Sequence, residues 1–311
     1  MLVGELLPLI LAVVCWAAIP VAGSPREAVS RSIERQVSIR LPSNLVIPHY
    51  ARGPAPFHSG DTLIYRASWL GIPAAEARVV VLNNGGGHSW TGRLWLRSSA
   101  AVDVLYRMRD FISEDFNSGD LRPREMHISQ NEKKRRDEWT IRFDDQQHLV
   151  TSIRKNAQGR TWLREFNGGE PWGPFSGAML ALSLPLTVGQ TYTFDVFSGG
   201  NRYVFAFSVD KREVLATPLG MVPALRIIPS VVWLSEGKFR SQVSRAVVWV
   251  MDDERHLPLR IEADVFIGTI RIDLAQVSRT DGAVGNASLK AVPPGSGQSA
   301  PLLLPLSSSV P

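Results

Sequence analysis

The fold is decided by one stretch of sequence, which reads Trp249-Val250-Met251-Asp252-Asp253-Glu254-Arg255-His256-Leu257-Pro258-Leu259-Arg260-Ile261-Glu262. An apolar run stops at a cluster of charged residues, and a run of alternating apolar and polar residues then begins. Two strands joined by a polar turn give this pattern, because successive side chains of a strand point to opposite faces of its sheet. The second run carries its apolar side chains at Leu257, Leu259, Ile261, Ala263, Val265 and Ile267. We therefore predict two β-strands here, the second with one buried face.

Past Gly268 the apolar positions shift by one residue, to Ile270, Ile272 and Leu274. A strand cannot keep its buried face across such a shift unless a bulge takes up the extra residue. Glycine adopts the backbone angles of a bulge at little steric cost. The shift therefore predicts a β-bulge at Gly268.

Alternating runs of this kind recur along the chain at short intervals. The clearest lie at 62–69, 139–143, 191–196 and 203–209, separated by glycine and asparagine clusters such as 83–87 and 198–201. This spacing predicts about ten to twelve strands. One segment, Ser176–Leu184, instead holds good helix formers and ends before Pro185, which predicts a short helix that crosses the sheet.

The chain is therefore predicted to be all-β and mainly antiparallel, with one or two short helices. An antiparallel sheet with one apolar face must bury that face by curving or by packing against another layer. A curved sheet or half-barrel, a barrel and a barrel-like sandwich all meet this requirement. The alternation does not choose among them.

The first 23 residues differ from the rest of the chain. Leu6–Ala18 is almost wholly apolar, and the small residues Val21-Ala22-Gly23 precede Ser24, as in a secretory signal peptide. The apolar run is too short to cross a bilayer comfortably. We predict export to the periplasm and no transmembrane segment after cleavage, with an uncleaved N-terminal anchor as the alternative.

Composition divides the chain into four parts. We predict a signal peptide at 1–23, a proline-containing leader or linker at 24–56, a single β-rich domain at 57–278 and a disordered tail at 279–311. The tail is assigned to disorder because it is rich in Gly, Pro, Ser and Ala and poor in charge.

Cysteine and charge exclude several classes of function. The only cysteine, Cys15, lies in the predicted signal peptide, so the mature domain has no disulfide, thiolate nucleophile or cysteine-ligated metal. The formal net charge is +5, and the basic residues are scattered apart from Lys133-Lys134-Arg135-Arg136. Because acidic residues flank this run, it is read as a solvated hairpin turn, with a phosphate- or lipid-headgroup-binding patch as the alternative. No nucleic-acid partner is predicted.

No set of residues requires an enzyme. Three adjacent carboxylates, Asp252-Asp253-Glu254, precede His256, but neighbouring side chains of an extended chain point apart, so a solvated turn is preferred to a metal site. The six histidines are dispersed, and no Gly-x-Ser-x-Gly elbow occurs. We name no catalytic residue, no metal ligand and no cofactor, and whether the protein is an enzyme stays open, with the preference against it.

The aromatic residues suggest a binding surface. Nine tryptophans are present, and most stand in strand-like contexts, where core packing alone would explain them. The alternative is that a curved sheet lines its concave face with aromatic and aliphatic side chains and leaves an apolar groove. The candidate ligand-binding residues are Trp69, Tyr203, Phe205, Phe207 and Trp249.

Three groups of segments carry a resemblance to a known family. The first is 57–65 with Trp69-Leu70-Gly71-Ile72, the second is Thr217-Pro218-Leu219-Gly220 with 224–227, and the third is 249–253 with 257–261 and 267–270. The region from Phe57 to about Val277 thereby resembles the bacterial exported family DUF3108, a domain of unknown function. The resemblance implies a curved antiparallel sheet like those of periplasmic lipid or lipoprotein carriers, and it supplies no catalytic residues.

Three functions follow as hypotheses. The first is a periplasmic, non-enzymatic protein that binds an apolar ligand, a lipid or a lipoprotein at the cell envelope. The second is a protein-interaction module that docks onto envelope proteins, and the third is an uncharacterised hydrolase. A continuous apolar cavity favours the first, a flat apolar patch the second, and convergent carboxylates or histidines the third.

Overall fold

A computed structural model describes residues 46–84, 88–133, 135–233, 245–265 and 268–279. Its strands are β1 Asp61–Trp69, β2 Ile72–Asn84, β3 Ser89–Ser98, β4 Arg109–Asn117, β5 Pro123–Glu132, β6 Arg135–Asp144, β7 Leu149–Asn156, β8 Thr161–Asn167, β9 Thr191–Ser198, β10 Asn201–Thr217, β11 Gly220–Trp233, β12 Arg245–Met251, β13 Pro258–Asp264 and β14 Thr269–Arg279. Its helices are α1, Ala100–Tyr106, and α2, Pro174–Ser183. Within this part of the chain no helix is long and apolar enough to cross a membrane.

All fourteen strands form one antiparallel sheet that is not closed into a barrel. Strands that follow one another in sequence are neighbours in the sheet, with the exception of β8 and β9, which form its two edges. The first and last strands, β1 and β14, pair with each other in the middle of the sheet. The all-β, antiparallel prediction is confirmed, whereas the predicted count of strands was too low. In β4 and β5, for example, buried charged side chains interrupt the alternation of apolar and polar residues.

The opening stretch forms two strands as predicted, namely β12 and β13. Their turn is held by Asp253, whose Oδ1 accepts hydrogen bonds from the backbone N–H groups of Arg255 and His256, both at 3.0 Å. The apolar residues from Leu257 to Val265 are buried, whereas Ile267 lies outside the described residues.

The bulge predicted at Gly268 was wrong, because the chain reverses direction there. Asp264 pairs with Thr269, and the N–H of Val265 donates to the carbonyl of Gly268 at 3.0 Å. A tight turn shifts the alternation by one residue just as a bulge does, so the pattern alone did not distinguish them. Gly268 has a φ of +75°, and a Cβ there would overlap the side chain of Leu70.

The sheet curls until its two edges meet through side chains. The rings of Phe166 on β8 and Phe197 on β9 have centroids 4.8 Å apart. The hydroxyl of Ser152 donates to the carbonyl of Gly199 at 2.7 Å. Between the edges, Trp172 forms a short parallel bridge with β9. The face enclosed by this curl is called the concave face below.

Helix α2 lies against the concave face. Nine of its ten residues are buried, and Phe175 packs against Gly92 of β3, where any Cβ would overlap the phenyl ring. The predicted helix is thus confirmed, and it begins two residues earlier than expected, with Pro174 as its first residue. Proline is favoured at that position because the first helical N–H has no partner within the helix.

The two ends of the sheet carry different turns. The α1 end is the end at which β1 finishes, where α1, the β1–β2 turn and the β5–β6 turn lie. The opposite end carries the turns β10–β11 and β12–β13.

The predicted signal peptide and tail lie outside the described residues, apart from Arg279 at the end of β14. The described part of the leader, 46–56, packs against the β-rich domain. The hydroxyl of Tyr50 accepts from the N–H of Thr193 at 2.9 Å, and the N–H of Gly53 donates to the hydroxyl of Ser183 at 3.1 Å.

Candidate functional site

A small apolar cavity lies between α2 and strands β10–β13. Its volume is about 50 Å³, and no lining side chain carries a polar atom. The lining residues are Ala178, Ala181, Leu182, Leu186, Phe205, Phe207, Ile227, Pro229, Val248, Val250 and Pro258. Its lining side chains offer water no hydrogen-bonding partners, so the cavity favours hydrocarbon.

Aromatic packing fixes one wall of the cavity. The ring of Phe207 stacks on Tyr192, with centroids 5.2 Å apart and planes 24° apart. It also lies nearly parallel to the ring of Phe194, at 6.0 Å and 11°. Such ring pairs add to the energy of area burial. We therefore expect this wall to keep its shape.

Strand β11 leads from the cavity towards solvent at the α1 end. Ile227, Pro229 and Val231 follow one another along the concave face, paired across from Val209, Phe207 and Phe205. Ile227 is buried, Pro229 is half-buried and Val231 is 41% exposed. An apolar path thus runs from the cavity to the surface.

The structure brings together three of the five predicted site residues. Tyr203, Phe205 and Phe207 are buried side by side on β10, as their alternation requires, and the latter two line the cavity. Trp69 is half-buried at the α1 end of β1, paired with Ile270, and does not line it.

Trp249 lies on the other face of the sheet. Its neighbours Val248 and Val250 line the cavity, so its own side chain points away from it. The indole Nε1 donates to Glu213 Oε1 at 2.6 Å. The cavity residues that the sequence missed include these two valines, because Val247–Met251 is apolar at every position and offers no alternation from which to choose a face.

A buried carboxylate positions α2 over the concave face. Glu114 of β4 accepts hydrogen bonds from the backbone N–H groups of Phe175 and Ser176, at 2.7 and 3.0 Å. These are donors that a helix N-terminus leaves without intrahelical partners. Burial raises the pKa of Glu114 to about 7, although the N–H donors favour its charged form.

A second buried polar cluster lies on the concave face near the α1 end. The hydroxyl of Tyr106 donates to Glu132 Oε2 at 2.5 Å, and the N–H of Asn131 donates to Asp110 Oδ1 at 2.8 Å. Burial, and the nearby charge of Glu132, raise the pKa of Asp110 to about 8. The buried pair of Asp110 and Glu132 therefore resists full ionisation.

An open groove of about 750 Å³ lies near the middle strands, lined in part by residues that point away from the concave face. Trp95 and Phe111, with ring centroids 5.3 Å apart, and Arg78, whose guanidinium lies 5.8 Å from the Trp95 ring, contribute to it. Much of its remaining lining is charged, including Glu76, Arg97 and Arg109. The groove is larger than the apolar cavity but far more polar.

Comparison with known families identifies the chain. The family described as "Protein of unknown function (DUF3108)" matches residues 64–275. The chain belongs to the DUF3108 family. A search of curated proteins gives no match.

Several solved structures resemble this DUF3108 protein. One is a β-barrel-like protein of the domain of unknown function DUF1849 from Brucella abortus, with a TM-score of 0.49 and 10% identity over 71% of this chain and 98% of that one. Another is a candidate exported protein with a YmcC-like fold from Bacteroides fragilis, with a TM-score of 0.35 and 7% identity over 74% and 100%. A candidate lipoprotein from Parabacteroides distasonis has a TM-score of 0.35 and 9% identity over 73% and 100%.

The carboxylates of the β12–β13 turn serve the fold of this DUF3108 protein. Asp252 pairs with Arg212 at 2.9 Å, and Asp253 holds the turn. The Nδ1–H of His256 donates to the carbonyl of Leu182 at the end of α2, at 2.8 Å. Among the described residues, no three His, Cys, Asp or Glu side chains converge as a metal site would require.

Proposed function

We propose that this DUF3108 protein is an exported, periplasmic protein that binds an apolar chain, carried by a lipid or a lipoprotein, without chemical conversion. The observation that supports this proposal is the cavity under α2, whose lining side chains are all apolar. The apolar path along β11 to Val231 gives a bound chain a way to solvent. The predicted signal peptide supports the periplasmic assignment.

The size of the cavity limits what it holds. A volume of about 50 Å³ accommodates a few water-sized groups, so only the end of a chain fits between α2 and β10–β13. The rest of the chain would follow Pro229 and Val231. Each methylene group moved out of water contributes about 0.8 kcal/mol, so a chain that extends along this path binds far better than its tip alone.

A volume-filling substitution tests the proposal. Ala178 lines the cavity from α2, and Ala178→Leu places three more carbons in it. We expect this variant to bind palmitate at least about tenfold more weakly, because the chain end loses its position. The measurement is displacement of a fluorescent fatty acid from the processed protein.

The matched control is Ala216→Leu, the same change at an exposed position of β10 at the opposite end of the sheet. It should bind palmitate as the wild type does. Equal affinity of Ala178→Leu and wild type, with both folded by circular dichroism, would contradict the proposal. Native mass spectrometry of protein purified from the periplasm provides a second test, since a bare polypeptide mass after incubation with lipids would also contradict it.

The open groove favours a second candidate, a protein-interaction module. Trp95 is one of the exposed large apolar residues, and aromatic residues flanked by arginines are common where proteins bind one another. If the fatty acid tests fail, Trp95→Ala should reduce capture of envelope proteins whereas Ala178→Leu should not.

A further inference from the structure

Helix α1 presents apolar side chains to solvent. No residue of this seven-residue helix is buried, and Val104 and Leu105 are 84% and 69% exposed. Tyr106 packs against the core, whereas Val104 and Leu105 are exposed to solvent. Its exposed apolar residues therefore need another explanation.

The β1–β2 turn carries two more exposed apolar side chains at the same end of the sheet. Leu70 and Ile72 are 58% and 57% exposed. Ser99, the residue that caps α1, fixes the helix beside this turn, because its N–H donates to the carbonyl of Ala74 at 2.8 Å and its hydroxyl donates to that of Pro73 at 2.7 Å. The four apolar side chains therefore belong to one end of the molecule, and we call them the α1-end patch.

Basic residues border the α1-end patch. Arg107 directly follows α1, and its carbonyl accepts the N–H of Lys133 in the β5–β6 turn at 2.7 Å. Arg107, Lys133 and Arg136 are all exposed. The turn predicted from the basic run is thus present, and it brings its positive charge next to α1.

The carboxylates of these segments do not cancel that charge. Asp103 of α1 pairs with Arg109 at 2.5 Å, and this arginine holds the pKa of Asp103 below its usual value. Glu132, at the start of the turn, is buried and accepts from Tyr106. Glu138 on β6 is exposed near Arg136 and offsets one of the three positive charges, so the exposed surface beside the patch keeps a net positive charge.

We infer that the α1 end docks onto an anionic lipid surface. Protruding apolar side chains with adjacent lysine and arginine are the combination that binds such surfaces, because the former enter the acyl boundary and the latter meet the headgroups. The α1-end patch is separate from the cavity under α2. Docking of this patch does not require an apolar ligand in the cavity.

Vesicle co-sedimentation tests the inference. It uses the protein purified after export, with its signal peptide processed as in the cell. Wild-type protein should bind vesicles of phosphatidylcholine that contain about one third phosphatidylglycerol, and it should bind pure phosphatidylcholine vesicles much more weakly. Raised salt should weaken binding, since it screens the headgroup charge. The double variant Val104→Ser/Leu105→Ser and the double variant Lys133→Glu/Arg136→Glu should each bind roughly tenfold more weakly.

Matched controls come from the opposite end of the sheet. Val214 and Met221 are 62% and 48% exposed there, and Arg124 is exposed at the start of β5. Val214→Ser/Met221→Ser and Arg124→Glu should bind as the wild type does. Failure of wild type to bind anionic vesicles, or equal loss in the controls, would overturn the inference. A concentration-dependent dimer that only the α1-end variants abolish, without vesicle binding, would also overturn it and identify a second copy as the partner.

Discussion

Asp110 shows how burial changes the behaviour of a single residue. Its carboxyl lies on the concave face beside Glu132, and both are buried. Two carboxylates in such a place do not both ionise readily, because burial removes water and each charge opposes the other. The pKa of Asp110 is therefore raised to about 8, far above the value of about 3.9 expected in the unfolded chain.

This difference predicts how stability depends on pH. Since the folded-state pKa is the higher one, the unfolded state releases its proton first, and stability is lost as pH rises from about 4 to about 8. Asp110→Asn removes this contribution, whose slope is about 1.4 kcal/mol per pH unit at most. We expect the variant to gain stability relative to wild type between pH 5 and pH 8, measured by urea unfolding.

The control for this prediction is Glu138→Gln, which neutralises an exposed carboxylate on β6. It should follow the wild-type pH profile. If the unfolding free energy of Asp110→Asn changes with pH in the same way as that of wild type, the raised pKa of Asp110 is refuted.

Helix α2 is the element that fills the curl of the sheet and forms one side of the cavity. The sequence predicted it from its helix formers and the proline beyond them. It did not predict what holds the helix, because Glu114 is 60 residues away along the chain from Pro174 and no local pattern links them. The same limit applies to β1 and β14, whose pairing in the middle of the sheet joins distant segments.

The faces of the strands were predictable only where the alternation is clean. Tyr203, Phe205 and Phe207 alternate with smaller or polar residues, and their common face was predicted. Trp249 stands in an uninterrupted apolar run, which does not show that its side chain lies on the opposite face from those of Val248 and Val250. Trp69 lies outside the cavity because its strand, β1, is separated from β10 by four other strands. The alternation within a strand does not show which strands are close to it in the sheet.

The role of Glu114 predicts the effect of its removal. Glu114→Ala leaves the N–H groups of Phe175 and Ser176 without their acceptor in the interior, so we expect a loss of about 2–4 kcal/mol of unfolding free energy. Glu114→Gln keeps one acceptor oxygen and should lose less. Hydrogen exchange of the α2 amides measures the effect directly, and unchanged protection in Glu114→Ala would contradict this role.

At the scale of the whole molecule, contacts between the edge strands keep the sheet curled. Arg202 of β10 is buried, pairs with Asp195 of β9, and donates to the carbonyl of Gly168 after β8 at 2.6 Å. The guanidinium of Arg122 lies 4.3 Å from the ring centroid of Trp172, which bridges to β9. These contacts place the segment before α2, and thus the helix itself.

Loss of either partner of the buried Arg202–Asp195 ion pair should lower the free energy of unfolding. Asp195→Ala leaves the Arg202 charge buried without its carboxylate, so we expect it to lower the free energy of unfolding by about 3–5 kcal/mol. Glu76→Ala, which breaks an exposed pair with Arg97, should cost about 1 kcal/mol or less. Denaturant unfolding of both variants measures the difference, and comparable small losses would show that this contact does not hold the curl.

We propose that the cavity under α2 receives the end of an apolar chain. Diffraction from crystals of the processed protein soaked with a fatty acid brominated at its terminal carbon tests it most directly. A fatty acid bound as proposed gives an anomalous bromine peak among Phe207, Ile227 and Val248. A peak confined to another surface, or no peak in crystals that retain the acid, would contradict it.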